Sequence, residues 1–283
     1  MVDITFIGTS AGVPSKDRGM PSIAIHANEL FLFDCGEGTQ RQMMKFGVSY
    51  GSVNAIFITH PHLDHYLGVF GLLETIKLTL PHKTVKIFSP EGLDISKKNV
   101  ELRTVKKGKL YENKEFEIHA FPVKHVANSF GFIIQEKDRI KFDEKKSKSL
   151  GIAGPMFREI QEKGSLKIGK KLIKLKDITW IKKGRKIVYT GDTEYCEEVI
   201  EAAKNADLLI HDCSFSSQFD KEAEKRNHST SEDAARVAKK AKVKQLVLTH
   251  ISSRYRDASQ LLQEAIKIFK NTIIAEDGAH IKL

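Results

Sequence analysis

Ile56-Phe57-Ile58-Thr59-His60-Pro61-His62-Leu63-Asp64-His65-Tyr66-Leu67-Gly68 is the stretch around which the chain is organised. An apolar run leads straight into His60, His62, Asp64 and His65. Imidazole nitrogen and carboxylate oxygen are the usual ligands of zinc sites that keep an open position. His60 and His62 stand two apart, so in an extended segment they point the same way, and Asp64 continues that direction. A turn at Leu63-Asp64 would redirect His65 and give two ligand sets side by side, as a two-metal site requires. A lone histidine is usually a packed or solvated side chain, but four ligand-type residues crowded at a strand end have no such bland explanation.

Composition bounds the rest. A chain of 283 residues can bury one large core, and 41% hydrophobic residues with 16 Phe fit a single globular domain over 1–283. No run approaches the roughly 20 apolar residues of a membrane span. Met1-Val2-Asp3-Ile4 enters directly into a strand-like run, so no signal peptide is expected. Three cysteines, Cys35, Cys196 and Cys213, are too few for a disulfide framework and point to a reducing, cytoplasmic setting. The net charge of +10 is concentrated. Between Glu136 and Lys186 there are 17 basic and 7 acidic residues, while the remainder balances at 29 of each. A neutral body with one basic insertion suggests a dedicated contact for a polyanion; a solvated, lysine-rich surface is the alternative.

Strands are expected at Ile4–Thr9, Ser22–Ala27, Leu30–Asp34, Val53–Thr59, Val85–Phe88, Phe116–Val123 and Phe130–Gln135. Further strands are expected at Lys186–Thr190, Leu208–Ile210, Leu246–Thr249 and Thr272–Ala275. Helices are expected from Asp34–Gly38 to about Phe46, over Leu67–Leu78, Glu91–Leu102, Ser231–Lys242 and Ala258–Phe269. Ser229 and Glu232 offer a capping box for the fourth of these. Residues 136–184 break the rhythm: lysines are dense, periodicity is poor, and Gly151, Gly154-Pro155, Gly164 and Gly169 punctuate the stretch. This reads as an inserted flexible basic arm.

Polar residues recur at the ends of apolar strands: Asp34, His60, Asp192, His211 and His250. Loops converge at such strand ends. A binuclear site needs more than the first cluster, and His125, Asp192 and His250 are the candidates. His119 competes with His125 but lies inside a strand, whereas His125 lies in a loop.

The pattern H-x-H-x-D-H resembles the signature of the metallo-β-lactamase superfamily. The wider chain resembles the ribonuclease Z family, the tRNA 3′-processing endonucleases, in their short form. Phe6-Ile7-Gly8-Thr9-Ser10-Ala11-Gly12-Val13-Pro14 matches that family's opening. Leu32-Phe33-Asp34-Cys35-Gly36-Glu37-Gly38-Thr39-Gln40-Arg41-Gln42 matches its next block. Phe130-Gly131-Phe132 through Lys141-Phe142-Asp143 and Leu150-Gly151-Ile152-Ala153-Gly154-Pro155 resemble the approach to its flexible arm and the start of the arm. Asn227-His228-Ser229-Thr230 and Leu248-Thr249-His250-Ile251-Ser252-Ser253-Arg254-Tyr255 match two further blocks.

The resemblance implies an α/β fold, the four-layer αβ/βα sandwich with a protruding basic arm at 136–184 that serves as a tRNA exosite. It implies two Zn2+ per chain: His60, His62 and His125 on one, Asp64, His65 and His250 on the other, Asp192 bridging. It implies Asp64 as proton acceptor for the attacking water and His228 as the group that stabilises or protonates the scissile phosphate and its leaving oxygen. Precursor tRNA is the implied substrate, cleaved to a 3′-hydroxyl on the tRNA and a 5′-phosphate on the trailer, by a homodimer.

Three positions depart from the family pattern. Leu63 stands where glycine is usual in H-x-H-G-D-H. His211-Asp212-Cys213-Ser214 stands where the family has His-Glu-Ala-Thr, so the carboxylate is one methylene shorter. Gly19 replaces an asparagine after Pro14-Ser15-Lys16-Asp17-Arg18, in a loop by which the family discriminates 3′-CCA ends. Two rival readings remain: a hydrolase of small phosphodiesters or (thio)esters, which shares the metal site but leaves the basic insertion unexplained, and a non-catalytic RNA-binding protein, against which every ligand position is filled.

Overall fold

The computed structural model describes residues 2–95 and 99–283. The chain separates into two compact units, one running up to Gln135 and resuming over Lys186–Leu283, the other Glu136–Arg185.

The larger unit is built on two seven-stranded sheets. The first runs in the order His280–Lys282, Asp3–Gly8, Ser22–Ala27, Glu29–Phe33, Val53–Phe57, Val85–Ser89, Val100–Thr104. The second runs Thr272–Ile274, Gln245–Thr249, Leu208–Asp212, Lys186–Tyr189, Phe130–Glu136, Phe116–Pro122, Gly108–Glu112. In a strand successive side chains face opposite ways, so each strand feeds two layers. Phe31, Phe33, Ala55 and Phe57 of the first sheet join Phe132, Ile134, Ile187, Tyr189, Leu208, Ile210 and Val247 of the second in one core between the sheets. Phe57 stacks on Phe33 at 5.1 Å and on Phe88 at 4.6 Å.

The alternate residues face outward and are buried too. Leu30, Leu32, Ile56 and Ile58 pack with Met43, Val69, Leu72, Leu73 and Ile76 of helices Thr39–Lys45 and Gly68–Thr79. Val188, Leu209, Leu246 and Leu248 pack with apolar faces of helices Glu197–Ala203, Ser231–Ala241 and Ser259–Ile268. Double-sided burial explains why these strands read as continuous apolar runs. The result is the four-layer αβ/βα sandwich expected from the sequence.

Two local expectations are overturned. The helix expected over Glu91–Leu102 is not formed across its described residues. Gly92 and Asn99 have φ of 93° and 69°, which a helix cannot carry, and Val100–Thr104 pairs in parallel with Val85–Ser89. Residues 96–98 of that span lie outside the described residues. The capping box falls one residue later than expected. Thr230 Oγ1 accepts from Asp233 N at 3.2 Å, and the Asp233 carboxylate accepts from Thr230 N at 3.1 Å. The Ser229 hydroxyl is turned to Thr193 O instead, donating to it at 2.6 Å. Strands Gly108–Glu112 and His280–Lys282 were not expected; the latter pairs with the first strand, Ile4 opposite Ile281.

The smaller unit has regular structure where the sequence shows little periodicity. Arg139–Phe142 pairs antiparallel with Thr179–Lys182, and Ser165–Ile168 with Lys171–Lys174. Helices Glu144–Ser149 and Met156–Lys163 lie between them in sequence. Its own core consists of Ile152, Ile160, Ile173 and Ile178 with partly buried Phe142, Leu150 and Phe157. Elements this short carry too few apolar positions for a periodic signal.

Candidate metal centre

Strand Val53–Phe57 delivers the first cluster. His62 is extended, with φ −73° and ψ 140°, and caps a single helical turn over Leu63–Tyr66. The chain therefore changes direction between two ligand pairs: His60 and His62 come before the change, Asp64 and His65 after it. Leu63 sits in that turn with its side chain exposed, so it is accommodated without a glycine. The turn is anchored by Cys35 N donating to His65 O at 2.8 Å and Gly68 N donating to Cys35 O at 2.9 Å. A Cβ on Gly68 would lie 1.9 Å from Gly36 O, so only glycine permits this approach.

The other groups arrive from the second sheet. Gly191, at φ +60°, would bring a Cβ to 2.7 Å from the Thr59 side chain; its absence lets Asp192 enter the cluster. His250 is itself left-handed at φ 58°, directly after strand Gln245–Thr249.

Asp192 is the centre. Its Oδ2 lies 3.6 Å from His60 Nε2, 3.3 Å from His65 Nε2 and 3.8 Å from His125 Nε2, and its Oδ1 lies 3.3 Å from His250 Nε2. Asp64 Oδ2 lies 3.6 Å from His65 Nε2 and 3.8 Å from His250 Nε2. His62 Nδ1 faces His125 Nε2 at 3.3 Å. His60, His62, His125 and Asp192 can direct one atom each to a common point, and so can Asp64, His65 and His250. Asp192, Asp212, His228 and His250 form a third such group. All eight residues singled out in the sequence are thus brought together. His119 is not; its Nε2 meets Glu117 at 3.0 Å. His211 is also apart, its Nδ1 donating to Asp212 O at 2.8 Å.

Outer partners fix the tautomers. The Nδ1–H of His65 donates to Asp34 at 2.8 Å, that of His125 to Asn227 O at 2.8 Å. Thr59 Oγ1 gives its proton to Asp34, so it accepts from His60 Nδ1 at 2.9 Å. Ser214 Oγ gives its proton to Asp212 at 2.7 Å and accepts from His250 Nδ1 at 2.8 Å. Each imidazole is thereby oriented with its Nε2 lone pair toward Asp192, the arrangement that raises ligand basicity in metal sites. Among the described residues, His60 Nε2, His65 Nε2, His250 Nε2 and Asp192 Oδ1 are buried with no hydrogen bond. Buried polar atoms are seldom left so, and four converging orphans fit a cation.

The electrostatics agree. Burial pushes His60 well below the ordinary histidine range, and burial lowers His62 and His125 too. His250 is pushed the other way, to about 10: burial opposes its charge, but Asp192, Asp212 and Asp64 prevail. His65 is raised against burial by Asp192 and Asp34. Asp192 is held well below its usual range against burial by His250, His65 and His60. The cluster demands positive charge at its centre, and protons compete with a metal to supply it.

His228 stands beside this cluster. Its ring stacks on His250 with centroids 5.3 Å apart, and its Nδ1 donates to Asp212 Oδ2 at 2.8 Å. The shorter aspartate therefore reaches. Burial works against its charge, yet Asp212 holds it above the usual range. A cavity of about 190 Å³ opens over Asp64, Asp192, His228 and His250, with Phe215 and Arg254 on its wall.

The family model described as "Anti-Pycsar protein Apyc1" matches residues 2–151, and that described as "Beta-lactamase superfamily domain" matches residues 178–251. The chain is 42% identical to the ribonuclease Z of Archaeoglobus fulgidus, over 97% of this chain and 95% of that protein. It is 41% identical to the ribonuclease Z of Sulfurisphaera tokodaii, over 98% and 96%. The chain belongs to the ribonuclease Z family. The crystal structure of human tRNase Z, short form, superposes with a TM-score of 0.69 at 28% identity, over 99% of this chain and 98% of that one. Membership makes the chain a tRNase Z-type endoribonuclease, a phosphodiester hydrolase of the metallo-β-lactamase fold. Within the ribonuclease Z framework, two roles escaped the sequence reading. Asp34 follows an apolar strand. It holds His65 and Thr59 and accepts from Tyr189 Oη at 2.7 Å across the sheets. Ser214, one of the positions that depart from the family pattern, orients His250.

Proposed function

We propose that the chain removes the 3′ trailer from precursor tRNA, leaving a 3′-hydroxyl on the tRNA and a 5′-phosphate on the trailer. The observation that carries the reading is the set of oriented imidazoles around Asp192, with Nε2 of His60, His65 and His250 unsatisfied. His60, His62 and His125 would hold one Zn2+ and Asp64, His65 and His250 the second, with Asp192 shared between them. When bound, two such cations activate water at neutral pH and neutralise charge on the phosphate. Asp64 accepts the proton of the attacking water. Its carboxylate is held ionised against burial by His250 and His65, and Gly12 N donates to it at 3.2 Å. His228, with Nδ1 committed to Asp212, offers Nε2 to the phosphate and gives its proton to the leaving oxygen. The Glu136–Arg185 unit, rich in lysine, binds precursor tRNA through phosphate contacts. A homodimer in the cytoplasm is part of the proposal; the three cysteines are free and buried, as a reducing compartment allows. Among the described residues, no helix is long and apolar enough to cross a membrane.

The test is to incubate the purified protein with a 3′-extended precursor tRNA and with a bis-phenyl phosphate ester, and to map the ends of the RNA products. Cleavage of the precursor with the stated ends is expected. Cleavage of the ester alone would favour a hydrolase of small phosphodiesters or (thio)esters.

A further inference from the structure

Two segments must stand in register beside the metal centre. The loop after strand Leu208–Asp212 carries Ser214, which orients His250. The turn before helix Ser231–Ala241 carries His228. Asp212 serves both, accepting from Ser214 Oγ at 2.7 Å and from His228 Nδ1 at 2.8 Å. The segments also meet directly, Ser231 N donating to Phe215 O at 2.9 Å and Ser214 Oγ lying 3.3 Å from His228 Nδ1.

A carboxylate on a third element ties both. Glu264, half-buried on helix Ser259–Ile268, accepts at Oε1 from Ser216 Oγ at 2.7 Å and Gln260 Nε2 at 3.0 Å. Its Oε2 accepts from Ser217 N at 2.9 Å and from the Ser231 hydroxyl. Ser216 N is held in turn by Tyr255 Oη at 2.9 Å. One side chain thus receives donors from the Ser214 loop, from the His228 turn and from its own helix. Glu264 is not among the residues lining the cavity, and none of its partners is a proposed ligand. Four donors converging on one carboxylate make a rigid joint, because charge-assisted hydrogen bonds are the strong ones.

We propose that Glu264 is a positioning residue for the ribonuclease reaction: it sets the register of loop 213–217 against turn 228–231 and so aims His228. The proposal rests on the role given to His228. Glu264→Ala removes both carboxylate oxygens of this joint, whereas Ser231→Ala removes one of its four donors.

The experiment measures kcat, KM for precursor tRNA, bound metal per chain and Tm for Glu264→Ala, Ser231→Ala, His228→Ala and the two double variants with His228→Ala. Glu264→Ala is expected to lower kcat at least about tenfold, with KM within about twofold and metal content unchanged, a part of the loss typical of a positioned proton donor. Ser231→Ala is expected to lower kcat in the same direction by less. In the His228→Ala background both changes are expected to cost under about twofold, since residues acting through one group are not additive. Losses that multiply through in that background, a rise in KM alone, or loss of metal would overturn the proposal. If Glu264→Ala does not fold, the Ser231→Ala cycle decides alone. A fully active His228→Ala protein would overturn the reading of His228 and this proposal with it. A multiplicative cycle on an impaired His228→Ala protein overturns this proposal only.

Discussion

Asp192 touches more of the centre than any other side chain, within 3.8 Å of His60, His65, His125 and His250. Asp192→Ala should therefore lose metal and activity together. The expected fall in turnover is at least about a hundredfold, the upper scale on which even outer partners of a metal act. Metal analysis beside the rate is the check, and a fully active variant would remove the bridging role. His228→Ala should behave differently. It should keep its metal and lose about 10²- to 10⁴-fold in turnover; a fall in metal content would make His228 a ligand. The residues of the centre were legible because side chains that end apolar strands meet where loops converge. Their tautomers were not. Thr59, Ser214 and Asp34 act through hydrogen bonds between segments far apart in sequence, and no spacing rule reports such bonds.

At the scale of elements, strands buried on both faces were read correctly because their apolar runs are long and bounded. Val100–Thr104 was misread because it lies at a sheet edge, half-exposed, where pairing with Val85–Ser89 outweighs a weak helical pattern. Charge was the only strong signal from Glu136–Arg185, and it hid four buried isoleucines. Those isoleucines dictate how the unit should be removed. Deleting only Gly151–Lys170 would take out Ile152 and Ile160, half of the four buried isoleucines that form the unit's core. Gln135 and Lys186 face each other across an antiparallel pair, so a short Asn-Gly turn can replace 137–184. All seven proposed metal ligands belong to the other unit, so cleavage of a small phosphodiester should change little. Affinity for precursor tRNA should fall by at least about tenfold, and the salt dependence should flatten by about 0.9 in log-log slope per lost phosphate contact. Unchanged affinity and slope would take the unit out of substrate binding.

Across the whole molecule, the centre joins the two sheets at the C-terminal ends of interior strands. His60 and His65 follow a strand of the first sheet; Asp192 and His250 follow strands of the second. The bond from Tyr189 to Asp34 is a second tie between the sheets close by, so the metal would close a seam that is already partly held. Stripping it leaves Asp192 and several imidazole nitrogens buried without partners, a costly state for polar groups. A ligand that binds only the folded chain stabilises it by about 4 kcal/mol at a thousandfold excess over its Kd. One kcal/mol moves the Tm of a chain this long by about 2–4 °C. Chelation should therefore lower Tm by on the order of 10 °C, and added Zn2+ should restore it. The Asp192→Ala protein supplies the control: its Tm should hardly respond to chelator or to Zn2+, because its centre no longer binds tightly. A chelated wild-type protein shown by metal analysis to be stripped, yet melting at its original temperature, would mean that the seam is held by Asp34, Tyr189 and the sheet cores alone.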